Sequence, residues 1–428
     1  MKSLFKSTHN KPGLWAFASL ALGLLFTAVP AFVAAQYQGA EYCADCHDQQ
    51  YHDWLTSGHK QILMEGVDAQ HRSLPLPAGQ SWGDISYTVG GNRTKTLYLN
   101  NTGYIITGSG NNQFNLLTGE WSNYHAGENN LVYDCGECHT TGYQADGNQL
   151  PGISGTFALP GVQCERCHGP GDDMELPSTD ASFCGECHSN GPSNVVAASG
   201  GFIKPEGQYN EFLAGAHASQ ECVTCHNPHQ NAKYGIVTQC ETCHASKAAA
   251  YAGTVMDNAG VECKDCHMPY ATLSAQALGP HQGDERTHIF RINADPSAPM
   301  FSPDGSSVVQ VGGEAAVTLD FVCQRCHGSS SKAALAQFAK GFHDNSGSLA
   351  NFGLDPGLSG TWYKAGKDGE GFLLEVFDEI PDLPVGEDLP VVRHLVADDR
   401  GCGIFRVVCG QVRVDVPPGC PVALLDGL

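Results

Sequence analysis

A chain of 428 residues with a formal net charge of −22, and only 16% charged side chains, cannot present the basic face that nucleic acid or an anionic membrane requires. Its 51 Gly and 23 Pro also argue against long regular elements. Nineteen Cys beside nineteen His point instead to chemistry that uses the two side chains together.

Residues 1–35 predict a secretory signal. Lys2, Lys6 and Lys11 give a positive start, an apolar run extends from Leu14 to Val29, and Val33-Ala34-Ala35 is a small-x-small cleavage site before Gln36. The run is short for a membrane span, and an uncleaved anchor is the alternative. Losing those three Lys would take the net charge from −22 to −25, which suits basic partners or cations and also simple solubility. With the signal removed, the sequence predicts a periplasmic or extracellular protein with no integral span.

From Cys43 onward one five-residue pattern, Cys-x-x-Cys-His, occurs eight times. The copies are Cys43, Cys46 and His47; Cys135, Cys138 and His139; Cys164, Cys167 and His168; and Cys184, Cys187 and His188. Then follow Cys222, Cys225 and His226; Cys240, Cys243 and His244; Cys263, Cys266 and His267; and Cys323, Cys326 and His327. This is the attachment signature of c-type haem. Two thiols form thioethers to the haem vinyl groups, and the adjacent His ligates the iron as proximal ligand. Zinc, iron–sulfur and disulfide sites also use Cys-x-x-Cys pairs, but none of them requires a His after every second Cys. Eight covalently attached haem c groups are therefore expected. The stretch from Cys43 to His327 allows roughly 36 residues per motif, too few for a separate core around each, so the haems themselves should be the core.

The predicted fold is a haem-packed multihaem cytochrome c: short α-helices, long coil, a small antiparallel β insert and a β-rich C-terminal tail. Its domain spans 36–350. Trp54, Leu55 and His59 recur at helical spacing beside the first motif. The longest gap between motifs, His47 to Cys135, contains the β insert at 84–122, where Ile85, Tyr87 and Val89 alternate before Gly90-Gly91-Asn92. Gly169-Pro170-Gly171, Pro228 and Pro269 end helices just after the motifs. The segment 297–320 predicts a loop or hairpin that separates the last haem from the others. The tail, 351–428, alternates turn and strand over Gly357–Tyr363 and Gly369–Val376. Within it Cys402 and Cys409 could pair, and Cys420 has no evident partner.

The opposite face of each iron decides function, because a second His makes a low-spin carrier and a vacant site admits substrate. The candidate distal ligands are His59, His71, His125, His217, His229, His281, His288 and His343, with His52 as the surplus residue. His394 falls in the tail. Met64, Met174, Met256, Met268 and Met300 are the sulfur alternatives.

The residues around the motifs resemble multihaem cytochromes related to the nitrifier tetrahaem cytochrome c and the octahaem hydroxylamine oxidoreductases. The resemblance lies in CADCH followed by Trp54 and Ser57-Gly58-His59, in Tyr133-Asp134-CGECH-Thr140-Thr141-Gly142-Tyr143, and in Gly161-Val162-Gln163-CERCH-Gly169-Pro170-Gly171. It continues in His217 before CVTCH-Asn227-Pro228-His229, and in CKDCH-Met268-Pro269 with His288-Ile289-Phe290. It covers about 41–345 and implies closely spaced haems in stacked and perpendicular pairs, with His59, His217, His229, His288 and His343 as distal ligands. Met174 stands where relatives carry a ligand His, and no Cys-x-x-Cys-Lys occurs. At Met174 the ligand is either substituted or supplied elsewhere, and the missing Cys-x-x-Cys-Lys weighs against catalysis.

The leading expectation is thus an exported octahaem electron carrier serving redox partner proteins or an extracellular acceptor, with a homo-oligomeric filament subunit as a special case. The alternative is an octahaem oxidoreductase acting on a nitrogen or sulfur oxyanion at one open haem.

Overall fold

The computed structural model describes residues 36–340 apart from 172–173, then 342–343 and five strand segments between 360 and 415. The expected signal segment and Cys402, Cys409 and Cys420 lie outside the described residues.

Most motifs close as one turn of helix. The His amide donates to the carbonyl of the first Cys from His47 to Cys43 (2.9 Å), His139 to Cys135 (3.2 Å), His188 to Cys184 (3.0 Å), His226 to Cys222 (3.0 Å), His244 to Cys240 (2.9 Å) and His327 to Cys323 (2.8 Å). This i to i−4 closure draws two sulfurs and an imidazole to one side of a single turn. The turns belong to short elements such as Gly136–His139, Cys164–His168, Cys240–Cys243 and Cys263–His267. Gly169, at φ 82°, stops the third immediately after His168.

A five-stranded antiparallel sheet, in sequence order, fills the gap between the first two motifs. Its strands are β1 (Leu63–Glu65), β2 (Ile85–Gly90), β3 (Lys95–Asn100), β4 (Gln113–Asn115) and β5 (Glu120–Ser122). The sequence predicts 84–122, and the sheet adds β1, whose three residues are too few to display alternation. β3 lies in the middle, and Thr96, Leu97, Tyr98 and Leu99 are all buried along it. Gly90 and Gly91, at φ 73° and 84°, start the turn between β2 and β3 that leads into Asn92 and Arg93.

Two apolar clusters back the motifs. Leu63, Leu99, Ile105, Tyr133, Ile153 and Phe157 form one. Phe202, Ile203, Ala271, Ile289, Val317 and Phe321 belong to the other, against which Cys266 and Cys323 pack. The predicted hairpin within 297–320 comprises Gln310–Val311 paired with Glu314–Ala315, and Val317–Thr318 then pairs in parallel with Ile292–Asn293. Glu165, inside the third motif, is buried and accepts the backbone N–H groups of Gln38, Gly39 and Gly171 at 2.8 Å each, tying the start of the domain to that motif.

Towards the C-terminus, Gly360–Tyr363, Gly371–Phe377, Val391–Ala397, Ile404–Val408 and Gln411–Asp415 form an antiparallel sheet in sequence order. Among the described residues no helix is long and apolar enough to cross a membrane.

Candidate haem-binding cavity

One continuous cavity of about 2320 Å³ is lined by Cys and His of the second to eighth motifs, together with His59, His217, His229, His288 and His343. Those five histidines stand opposite motif histidines. The ring centres are 6.3 Å apart for His59 and His188, 6.3 Å for His168 and His229, and 5.9 Å for His217 and His244. They are 6.1 Å apart for His226 and His288 and 6.0 Å for His267 and His343. Two imidazoles bound to one metal at about 2 Å each leave their ring centres roughly 6 Å apart, so this donor set fits a bis-His iron. Every pair joins a motif to a histidine from a different part of the chain.

Second hydrogen bonds aim these rings. Nδ1 of His59 bonds the Pro228 carbonyl (3.0 Å), that of His168 the Glu175 carbonyl (3.1 Å), and that of His267 the Phe290 carbonyl (2.8 Å). Nδ1 of His188 bonds the Gln208 amide oxygen (3.4 Å) and that of His229 the Asn227 amide oxygen (3.0 Å). These acceptors carry no proton, so Nδ1 must donate and Nε2 keeps the lone pair that a metal takes. Burial, the main cause, lowers the pKa of His59, His188, His217, His226 and His229, and pushes that of His288 to about 3. All are thereby held as the neutral, ligating form.

The sulfurs report which motifs are neighbours. Cys43 lies beside Cys164, Cys138 beside Cys187, and Cys184 beside both Cys167 and Cys222. Cys225 lies beside Cys243, Cys240 beside Cys263, and Cys266 beside Cys323 and Cys326. In a thioether-linked protein these atoms mark haem edges. The order is then first, third, fourth, fifth, sixth, seventh and eighth motif, with the second branching from the fourth.

His47, His139 and His327 are not among the five pairs. His139 has its Nδ1 on the Tyr133 hydroxyl at 2.8 Å. Burial and then nearby Lys95 bring its pKa to about 4. Arg93 and Lys95 line the same cavity as His139, with Glu206 and Glu285. The Glu285 carboxyl is raised by burial and lowered again by Arg93 and Lys95. Lys95 Nζ is held by the Ser274 carbonyl at 2.8 Å.

The other sequence candidates stand elsewhere. His52 is exposed and pairs with Asp48 at 3.2 Å, and His71 is exposed. His125 bonds Glu128 at 2.7 Å beside Tyr124. His281 packs edge-on against Phe321. Met174 is exposed and Met300 is buried in the second cluster.

Phe290 entered the sequence reading only as part of the stretch after His288, with no role of its own. Its φ of 60° is a costly conformation for a bulky side chain. It packs edge-on against His217 and His288, while its carbonyl takes the His267 proton. Arg93 and Lys95 were unmarked, being ordinary strand and turn residues until the fold assembles them, and Tyr133 was marked only as part of the stretch before the second motif.

Residues 157–245 match the family model described as cytochrome c3, and 118–169 match that described as cytochrome c554 and c-prime. Both are multihaem c-type cytochrome families, in which haem c is bound covalently. The chain is 27% identical to the dissimilatory sulfite reductase MccA of Wolinella succinogenes over an alignment of 192 positions, covering 32% of this chain and 27% of that protein. It thus spans about a quarter of the length of the curated relative it matches. The solved octaheme sulfite reductase MccA of the same organism, form II, shares the fold at a TM-score of 0.51 and 19% identity, over 68% of this chain and 65% of that one. The outer cell wall cytochrome OcwA gives a TM-score of 0.47 at 17% identity, over 70% and 86%.

Proposed function

We propose that the chain is an exported octahaem c-type cytochrome that relays electrons along closely spaced haems. The motif histidines would be proximal ligands, and His59, His217, His229, His288 and His343 distal ones. The observation that carries this reading is the set of five histidine pairs at 5.9–6.3 Å. An iron between two imidazoles is a carrier, since no position is left for substrate. The run of neighbouring sulfurs supports an unbroken path. The protein's own work is to hold each imidazole by Nδ1, to fix spacing and to line the rings with apolar groups. The signal predicted from residues 1–35 would take the protein to the periplasm or outside the cell, with redox proteins or an extracellular acceptor as partners. In a filament, exposed His52 would be the surplus side chain available to a neighbouring copy. The likeness to the hydroxylamine oxidoreductase group rests on the motif-flanking residues alone.

The test is reoxidation of fully reduced protein by an excess of one external acceptor. A connected relay predicts that all eight haems empty together. A subset that stays reduced would contradict it.

A second reading is favoured by the surroundings of His139. Lys95 supplies positive charge beside it, and Arg93 and the half-buried Glu285, whose carboxyl pKa burial raises, line the same cavity. A haem at this motif would supply electrons, while Arg93 and Lys95 bind and orient a small oxyanion such as sulfite or nitrite. The relative's sulfite reductase activity is in keeping with this reading. Titration with sulfite and nitrite should perturb one haem, with affinity falling at least tenfold in Lys95→Met. No binding in the wild type would remove this reading and leave the relay intact.

A further inference from the structure

We propose that Tyr133 tunes the iron ligand His139 through a hydrogen bond unlike those that aim the other ligand histidines. The inference rests on the reading of His139 as a proximal haem ligand. For His59, His168, His188, His229 and His267, the Nδ1 partner is an amide oxygen of the backbone or of a Gln or Asn side chain. For His139 it is a phenol oxygen, 2.8 Å away.

The difference has a chemical consequence. With Nε2 on the metal, neutral imidazole carries its proton on Nδ1 and donates it to the partner. A strong acceptor draws that proton off and makes the imidazole more basic, so it gives more electron density to the metal and favours the oxidised state. A phenol oxygen is a weaker acceptor than an amide oxygen. The haem at the second motif should therefore be easier to reduce than amide-partnered ligation of the same iron would make it. This motif is the branch off the relay, beside Lys95, where electrons would have to collect for delivery to an anion.

The hydroxyl is held in place by contacts that do not depend on it. Tyr133 donates its backbone N–H to Gly152 O at 2.8 Å and accepts from Ser154 N at 2.9 Å. Its ring is 1% exposed, packed with Leu99, Ile105 and Ile153. Removing the oxygen alone should leave the ring where it is.

The experiment compares the full haem-loaded wild type with Tyr133→Phe by spectroelectrochemical titration of all eight haems. With no acceptor left on Nδ1, one midpoint potential should rise while the other seven stay. Eight unchanged potentials, or eight that shift together, would overturn the inference. If Tyr133→Phe does not accumulate folded, 3-fluorotyrosine at 133 keeps ring and hydroxyl but weakens the oxygen as an acceptor. It should move the same potential upward by less, and an unmoved potential there overturns the inference as well. Mass analysis of the Cys135–Cys138 peptide separates the two levels of the argument. A haem-free peptide in the wild type would overturn the ligand reading and this inference with it, whereas an attached haem with an unmoved potential overturns the inference alone.

Discussion

His168 and His229 face each other with ring centres 6.3 Å apart and planes 19° from parallel. One belongs to the third motif and the other follows the fifth, so a metal between them would fasten two distant parts of the chain. Replacing His229 by Ala should turn one low-spin iron high-spin, with haem still attached at Cys164 and Cys167. Visible and near-infrared spectra of the oxidised variant would read this, and an unchanged spectrum would show that His168 has another partner.

The Glu165 carboxylate is 4% exposed and accepts three backbone N–H groups, from Gln38, Gly39 and Gly171. Glu165→Ala leaves all three donors without their partner. The expected loss is about 1–3 kcal/mol, chiefly from the buried Gly171 donor left unpaired, since water can reach Gln38 and Gly39. It would appear as a lower urea midpoint and as earlier proteolysis ahead of Ala40. An unaltered midpoint would mean that the segment before Ala40 contributes nothing to the fold.

Glu211 is fully buried, accepts from the His288 amide at 2.7 Å, and has its pKa raised by burial to about 7. An acid whose folded pKa exceeds its unfolded value binds more protons when folded. Its contribution is therefore complete below the unfolded value, near 4.5, and is lost as pH rises through about 7. The loss amounts to about 3 kcal/mol. Glu211→Gln should abolish that slope, so stability of wild type and variant must converge at low pH and diverge towards pH 8. Parallel stability curves across this window would place the titration elsewhere.

The motifs were legible because they are local: five residues, one turn, and a fixed chemistry. The five histidines implied by the family resemblance, His59, His217, His229, His288 and His343, are those that stand opposite motif rings. Which ring each one faces could not be read from spacing, since every pairing is set by how the chain wraps. The sheet announced itself through Ile85, Tyr87 and Val89, but β1 did not, because its pairing with Tyr87–Val89 is tertiary. Lys95 gave no sign of proximity to His139 for the same reason, and Tyr133, though in the stretch before the second motif, gave no sign that its hydroxyl meets Nδ1. Helices of eight residues or fewer among the described residues leave little hydrophobic periodicity to read, and Phe290 shows the other side of this. Its positive φ, where it meets three histidines, has no counterpart in its own propensity.

The most direct test of the relay is a low-temperature EPR spectrum of the oxidised protein, integrated by spin state. The five pairs predict low-spin signals from at least five irons. The ring planes divide them: His168–His229 and His267–His343, at 19° and 21°, should give rhombic spectra. His59–His188 and His217–His244, at 66° and 71°, should give strongly axial ones. Fewer than five low-spin irons, or a single class of low-spin signal, would contradict the account.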